Sequence, residues 1–343
     1  MPVMVGLSAR FPLRALMALG ALAGGCVTFF LGFSHNIWVF TGLFTVVWVS
    51  TQACGGVVGN ALVSNWFSRY RGRAFGLVNA GTSLSGAVLP LIALPLINTF
   101  GMQTAYMILG AATLLLAPAS WLLIRDTPKE MGLHPDGSPS AFPPHNIIPP
   151  ARFFTKIVHD PQAYALGIAF GLALMCGSGV MSQLKPCFAD AGISPYPAVI
   201  LACVSALCAA LAKYVWGWMC DRFTAITASR LVMLLSCTSV CAGFLPPTLP
   251  GLILFCITFG CCIGGLWTVL PAVTAFYFGS DNFLPAYKFI SIFILLRCLG
   301  FPIMGISHDL TGSYALVDSI FIVLLLLAFG LTCWTPNKGE RAI

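Results

Sequence analysis

The hydrophobic pattern of the chain is a series of long apolar segments separated by short polar ones. A membrane-spanning helix needs roughly 20 mostly apolar residues to cross the hydrocarbon core. Ten segments meet this requirement, at about 12–33, 38–66, 74–97, 103–124, 162–185, 196–219, 230–247, 250–278, 286–306 and 315–335. In lipid such runs are expected to be helical, because a bilayer offers no partners to open backbone groups. The pattern therefore predicts an all-α integral membrane protein with ten transmembrane helices.

The longest polar stretch, residues 125–161, divides the ten segments into four before it and six after it. It is rich in proline, which favours a flexible linker over a packed element. The prolines are Pro128, Pro135, Pro139, Pro143, Pro144, Pro149 and Pro150. The predicted organisation is an N-terminal bundle over 1–124, a linker over 125–161 and a C-terminal bundle over 162–343.

Composition and charge agree with a membrane protein and add an orientation. Charged residues make up 8% of the chain, whereas a soluble domain carries about 25%. Fourteen of the 17 Lys and Arg residues fall in one set of connecting loops. Because basic loops stay on the cytoplasmic side, this bias predicts cytoplasmic termini in an inner or plasma membrane. It also accounts for the net charge of +7 without nucleic-acid binding.

The 14 cysteines do not form a metal or disulfide pattern. Most lie inside apolar segments, no CxxC pair occurs, and no His stands at ligand spacing from them. Within a membrane span, Cys behaves as a small hydrophobic residue. We therefore predict no metal and no cofactor.

Two basic residues differ from the rest because they lie deep inside apolar segments. Lys213 lies eight residues before Asp221, and Arg297 lies nine residues after Lys288. At 1.5 Å per residue, both are about 12–14 Å from a helix end, near the middle of a core about 30 Å thick. Cations at this depth cost at least a few kcal/mol and usually mark a substrate or ion path. No Asp or Glu lies at comparable depth, so we predict an anionic substrate; snorkelling or pairing with backbone carbonyls is the alternative.

Weaker candidates accompany the two cations. Trp267, in the segment 250–278, is predicted to form a wall of the substrate cavity, although a lipid-facing or core position is the alternative. Gln52, Asn60 and Asn79 are polar groups that could bind substrate or could join neighbouring helices.

Three loop motifs point to a family. Residues 217–223, GWMCDRF, contain a G-x-x-x-D-R pattern, and residues 7–11, LSARF, are a degenerate copy of it. Residues 65–76, NWFSRYRGRAFG, are followed by Ala80, Gly81 and Gly86, and residues 309–314 read DLTGSY. Together these motifs resemble the major facilitator superfamily, in particular its monocarboxylate porter and oxalate/formate antiporter branch. The resemblance implies a major facilitator-type helix bundle of six plus six spans. The visible four plus six then imply an N-terminally truncated chain that lacks the first two spans.

The resemblance also bears on the site. Related porters carry a cation at the position of Lys213, four residues before the motif glycine, and the oxalate/formate branch carries another that matches Arg297. The usual Arg-then-Lys order is swapped in this chain. Proton symporters of the branch tend to carry an Asp where this chain has Ala209, and no intramembrane carboxylate is evident to replace it. The coupling ion therefore stays open.

The resulting functional prediction is a secondary active transporter of small organic anions, mono- or dicarboxylates. It would work by alternating access, as an antiporter or proton symporter, and as a monomer in the lipid bilayer. One alternative is a non-transporting fragment of such a carrier. The other is an integral-membrane enzyme, but Ser178 has no His or carboxylate at similar depth to activate it as a nucleophile.

Overall fold

The computed structural model describes residues 2–8, 10–137, 156–190, 192–244, 248–279 and 282–335. Regular secondary structure in these ranges is helical, and no strand occurs in them. The α-helices are α1 (Pro2–Ser8), α2 (Leu13–Leu31), α3 (Ile37–Thr51), α4 (Val57–Trp66), α5 (Arg71–Leu114), α6 (Leu116–Leu123), α7 (Pro161–Asp190), α8 (Pro195–Arg222), α9 (Ala225–Ala242), α10 (Leu249–Phe278), α11 (Phe283–Phe293), α12 (Arg297–Thr311) and α13 (Ala315–Trp334). The predicted all-α membrane fold is confirmed.

Nine helical stretches in the described part of the chain are long and apolar enough to cross a membrane, against ten predicted. The difference lies in the stretch Arg71–Leu123, which covers the predicted spans 74–97 and 103–124. Inside it, Gly101 has φ 81° and ψ 165°, a backbone conformation that is essentially restricted to glycine. The helix is therefore interrupted at the position where the sequence predicts a turn.

Contacts divide the chain into two units. Unit 1 comprises Met1–Arg69 with Val88–Asn146, and unit 2 comprises Tyr70–Ala87 with Ile147–Ile343. Helix α5 contributes to both units. We name the unit-2 segment Tyr70–Ala87, which comprises Tyr70 and the first part of α5, the docking segment. Residues 138–155 of the predicted linker lie outside the described residues, and the predicted boundaries at 124 and 162 remain a prediction.

In unit 1, small residues let α2 approach its neighbours closely, as is common between membrane helices. A Cβ on Gly20 would lie 2.8 Å from Cβ of Ala53, and one on Gly25 would lie 2.7 Å from Cγ of Leu114. The start of α2 is capped by Asp126, which accepts hydrogen bonds from the backbone N–H groups of Leu13 at 3.0 Å and Arg14 at 2.8 Å. A carboxylate at a helix N-terminus satisfies donors that the helix itself leaves unpaired.

In unit 2, glycines fix the register between α8 and α10. A Cβ on Gly260 would collide with the carbonyl oxygen of Ser205, and one on Gly264 with that of Ala209. In both pairs the two residues are 55 positions apart, so α8 and α10 run parallel where these residues meet. Helices α7 and α12 approach in the same way, because a Cβ on Gly179 would lie 2.8 Å from the carbonyl oxygen of Gly300.

Candidate functional site

Lys213 is buried in unit 2, where its ammonium group donates hydrogen bonds to the docking segment. Its side chain is on α8 and only 2% exposed. Its Nζ donates hydrogen bonds to the carbonyl oxygen of Asn79 at 2.7 Å and to Oγ1 of Thr82 at 2.6 Å. The Thr82 hydroxyl in turn donates to the carbonyl oxygen of Asn79 at 2.8 Å. The ammonium thus binds oxygen dipoles of α5, including one backbone carbonyl.

The first part of the docking segment also packs against α8. A Cβ on Gly76 would collide with the carbonyl oxygen of Lys213, and Cβ atoms on Gly72 or Gly217 would each collide with the other glycine's carbonyl oxygen. At its start, Asp221 accepts hydrogen bonds from the N–H groups of Gly72 at 2.6 Å and Arg73 at 2.9 Å. The aspartate of the G-x-x-x-D-R motif therefore caps α5.

Arg297 occupies a different environment, at the first residue of α12. The preceding turn, Ile294–Leu296, is a 3-10 helix. The half-buried guanidinium donates from Nε to Oγ of Ser178 on α7 at 2.6 Å. Its Cζ lies 5.5 Å from the ring centroid of Trp267 and 5.9 Å from that of Phe301. Both distances are within the range of cation–π attraction.

The structure brings two of the three predicted site residues together and places the third on a neighbouring helix. Trp267 contacts Arg297 directly. Lys213 lies on α8, which packs against α10, the helix of Trp267, at Gly260 and Gly264. Lys213 and Trp267 are therefore on neighbouring helices of unit 2.

The partners of the two cations are the residues that sequence analysis missed. These partners are Thr82 and Ser178, neither of which the sequence indicates as a partner of a cation. They lie 131 and 119 positions from the cations that they bind, so no local pattern reveals them. Of the polar candidates, Asn79 is part of the Lys213 contact, whereas Gln52 and Asn60 are buried in unit 1.

No metal centre is evident in the part of the chain that the structure describes. Groups of three or more His, Cys, Asp or Glu side chains close enough to hold an ion do not occur among those residues. The cysteines are free thiols. Lys213 and Arg297 supply two cations, and Trp267 supplies an aromatic ring beside Arg297.

Comparison with known proteins places the chain in a family. The family model described as the Major Facilitator Superfamily matches residues 1–282. Human monocarboxylate transporter 11 is 26% identical over an aligned length of 364 residues, which covers 98% of this chain and 73% of the relative. Bovine monocarboxylate transporter 13 is 24% identical and covers 98% of this chain and 76% of its own length.

A solved structure shows the same fold. The human organic anion transporter MFSD10 superposes with a TM-score of 0.75 at 17% identity, covering 96% of this chain and 79% of that one. At this identity the likeness concerns the fold alone. It confirms the major facilitator-type helix bundle that the loop motifs imply, and with the apolar helices it makes the protein a multi-pass integral membrane protein.

Proposed function

The chain belongs to the Major Facilitator Superfamily, and we propose that it transports small organic anions, mono- or dicarboxylates, by alternating access. The observation that carries this proposal is the pair of cations, Lys213 and Arg297, inside apolar helices of one unit. Placing charge at this depth is costly, and proteins do so chiefly on substrate or ion paths. Two positive charges within one helix bundle, one of them against an aromatic ring, suit a substrate with one or two carboxylates.

The geometry around Arg297 supports carboxylate recognition. The hydrogen bond from Nε to Ser178 restrains the plane of the guanidinium, while Trp267 and Phe301 lie against the group. A planar guanidinium in a defined orientation binds carboxylates through parallel N–H donors, with directional selectivity that an ammonium lacks. We therefore assign the substrate carboxylate to Arg297, with Trp267 as the adjoining wall.

Lys213 supplies the second charge in a different manner. In the described arrangement its ammonium is bound to Asn79 and Thr82 of the docking segment. We propose that a substrate carboxylate replaces the Thr82 hydroxyl as its partner. The substrate and the docking segment would then compete for the ammonium group of Lys213.

The remaining features of the proposal follow from sequence and family. The names of the matched monocarboxylate transporters support a carboxylate as the substrate class. The 14 basic residues in one set of loops support cytoplasmic termini in an inner or plasma membrane. We further propose a monomer that neither binds nucleic acid nor acts as an enzyme, with exchange and proton symport as the two modes of coupling.

The test is uptake of radiolabelled lactate and oxalate into proteoliposomes by the wild type and by two variants, Lys213→Gln and Arg297→Gln. A charge-assisted contact contributes about 1.5–3 kcal/mol, so each variant is expected to bind about 10- to 100-fold more weakly. Lys288→Gln is the matched control, because Lys288 is an exposed basic residue on α11. Unchanged uptake in both site variants, at equal incorporation, would contradict the proposal.

A further inference from the structure

A second polar site lies in unit 2, where α7 ends and α13 begins. A cavity of about 290 Å³ opens there between α7, α9, α10, α12 and α13. Its polar lining includes Asp318, Tyr314 and Gln183, and its apolar lining includes Phe244, Phe255 and Met304. Among the described residues, the lining includes neither Lys213 and Arg297 nor their partners Thr82 and Ser178, so this cavity is separate from the candidate site.

Asp318 is the unusual member of this lining. It lies in the first turn of the spanning helix α13 and is half-buried. In the described part of the chain its carboxylate receives no hydrogen bond and no ion pair, and none of the residues that line the cavity is Lys or Arg. Acidic residues within membrane helices usually have a partner or a function. Among the described side chains this carboxylate has no cationic partner, so it is open to a cation from outside the chain.

The surroundings leave room for such a cation. Gly243 stands beside the carboxylate, since a Cβ there would lie 3.9 Å from Oδ2 of Asp318. The phenol of Tyr314 is 3.5 Å from Oε1 of Gln183. The neighbouring carboxylate, Asp190, is already paired, with its Oδ2 3.1 Å from Nε2 of His308. Asp318 therefore provides the negative charge of the cavity.

The size and walls of the cavity favour an organic cation over a metal ion. One water molecule occupies about 30 Å³ in the liquid, so about 290 Å³ holds far more than one desolvated ion. Calcium and magnesium require about six or more oxygen ligands, whereas aromatic faces attract ammonium groups. Phe244, Phe255 and Tyr314 supply such rings in the lining.

We propose that this cavity binds a small primary ammonium compound, with the ammonium on Asp318 and the hydrocarbon part against Phe244, Phe255 and Met304. Such a ligand has the charge opposite to that of the proposed transport substrate, so the site is additional to the carboxylate site. Two sources share this chemistry: a free alkylammonium ion, and the headgroup of a phosphatidylethanolamine lipid.

The test measures the thermal unfolding midpoint of the purified protein in phosphatidylglycerol nanodiscs as propylammonium chloride is added. Sodium chloride at equal ionic strength and neutral propionamide are the controls. A ligand that binds only the folded state raises the midpoint in a saturable way. Saturable stabilisation by propylammonium alone is expected. A flat response, or an equal response to sodium chloride, would overturn the proposal.

Three variants locate the site. Asp318→Asn should weaken the apparent affinity for propylammonium about 10-fold or more, because a charge-assisted contact is lost. Gly243→Val should block binding by filling the space beside the carboxylate, which keeps the test independent of how Asp318→Asn folds. Asp309→Asn, at an exposed position, should bind as the wild type does. Equal affinity in the wild type, Asp318→Asn and Gly243→Val would place the ligand elsewhere and refute the assignment.

A final arm distinguishes the two sources. The wild type and Asp318→Asn are compared in nanodiscs that contain phosphatidylethanolamine, without added propylammonium. If the lipid headgroup is the ligand, the wild type gains stability over Asp318→Asn in these discs, and its response to propylammonium shrinks. If a free compound is the ligand, the propylammonium response is the same in both lipids. Either result supports an ammonium site.

Discussion

Lys213 and Arg297 are both cations within apolar helices, yet the protein holds them differently. Lys213 is 2% exposed, and its ammonium binds a backbone carbonyl and a hydroxyl of the docking segment. Arg297 is half-buried and lies against the ring of Trp267, with Nε bound to Ser178. The first arrangement joins two stretches of chain, whereas the second orients a planar group.

The two cations therefore have different roles, although both carry one positive charge. An ammonium is a compact point charge that can bind oxygen atoms from several directions, and a guanidinium is a fixed fork that matches a carboxylate. We infer that Lys213 contributes to both docking and substrate charge, whereas Arg297 contributes to substrate recognition alone.

Lys213→Gln is expected to change both function and structure. It should abolish or sharply reduce uptake and also raise amide hydrogen exchange across residues 70–87 by about 10-fold or more, because a charge-assisted contact of that segment is lost. Arg297→Gln should reduce uptake while leaving exchange in residues 70–87 at the wild-type level. Hydrogen-exchange mass spectrometry on both variants measures the contrast. The same exchange pattern in the two would remove the distinction between them.

Exchanging the two types of cation tests shape at constant charge. Arg297→Lys replaces the fork by a point charge, so the ratio of mono- to dicarboxylate uptake should shift by about 10-fold. Lys213→Arg should retain part of the uptake, since the family resemblance implies relatives that carry an arginine at that position. Competition of unlabelled lactate and oxalate against labelled substrate gives the ratio. An unchanged ratio in Arg297→Lys would show that the shape of this cation is not used.

Thr82→Val removes one partner of Lys213 and no charge. In the absence of substrate the ammonium loses the 2.6 Å hydrogen bond to the threonine hydroxyl. A carboxylate that takes its place then has less to displace, so the apparent affinity for substrate should rise by about 3- to 10-fold. The Michaelis constant for uptake reports this change. Thr258→Val on α10 is the control, because that hydroxyl bonds only to its own helix. A lowered affinity in Thr82→Val would argue against the competition.

Ser178→Ala is expected to have a small effect, similar in size to that of Thr82→Val but opposite in direction. It removes the hydrogen bond that orients Arg297 but leaves the guanidinium and its aromatic neighbours in place. A single hydrogen bond contributes about 1 kcal/mol, so substrate affinity should fall by about 5-fold. Ser182→Ala, one turn further along α7, is the control, since that hydroxyl bonds to Gly179 of its own helix. Equal effects of the two substitutions would show that Ser178 does not orient the arginine.

Sequence analysis could place these residues by depth but not by partner. The lengths of apolar segments determine how far Lys213, Trp267 and Arg297 lie from a helix end, because helical rise is constant. The side chains that bind the cations come from other helices, and packing between small residues selects them. The parallel register of α8 and α10 depends on Gly260 and Gly264 meeting particular carbonyls, which hydrophobicity alone does not specify.

Two further differences have similar causes. Hydropathy locates the break between the predicted spans 74–97 and 103–124. In the structure, helix lies directly on both sides of Gly101, so the two predicted spans form one helical stretch and the number of membrane-length stretches in the described part of the chain is nine. The sequence does not mark Asp318 as a site residue, because it is only the fourth residue of the last predicted span, 315–335. Its importance emerges from Gly243 and the cavity beside it, and these come from other helices.

The contact between Gly72 and Gly217 has a consequence for sequence variation. A Cβ on either residue would meet the carbonyl oxygen of the other, so one substitution already separates the two backbones. A second substitution at the partner then adds little, because the close contact is already lost. The loss of stability in the double variant should therefore be much less than the sum of the two single losses, as expected for residues in contact. Fitness data should therefore show strong positive epistasis between positions 72 and 217. For selection, the two glycines behave as one position that accepts no side chain from either direction.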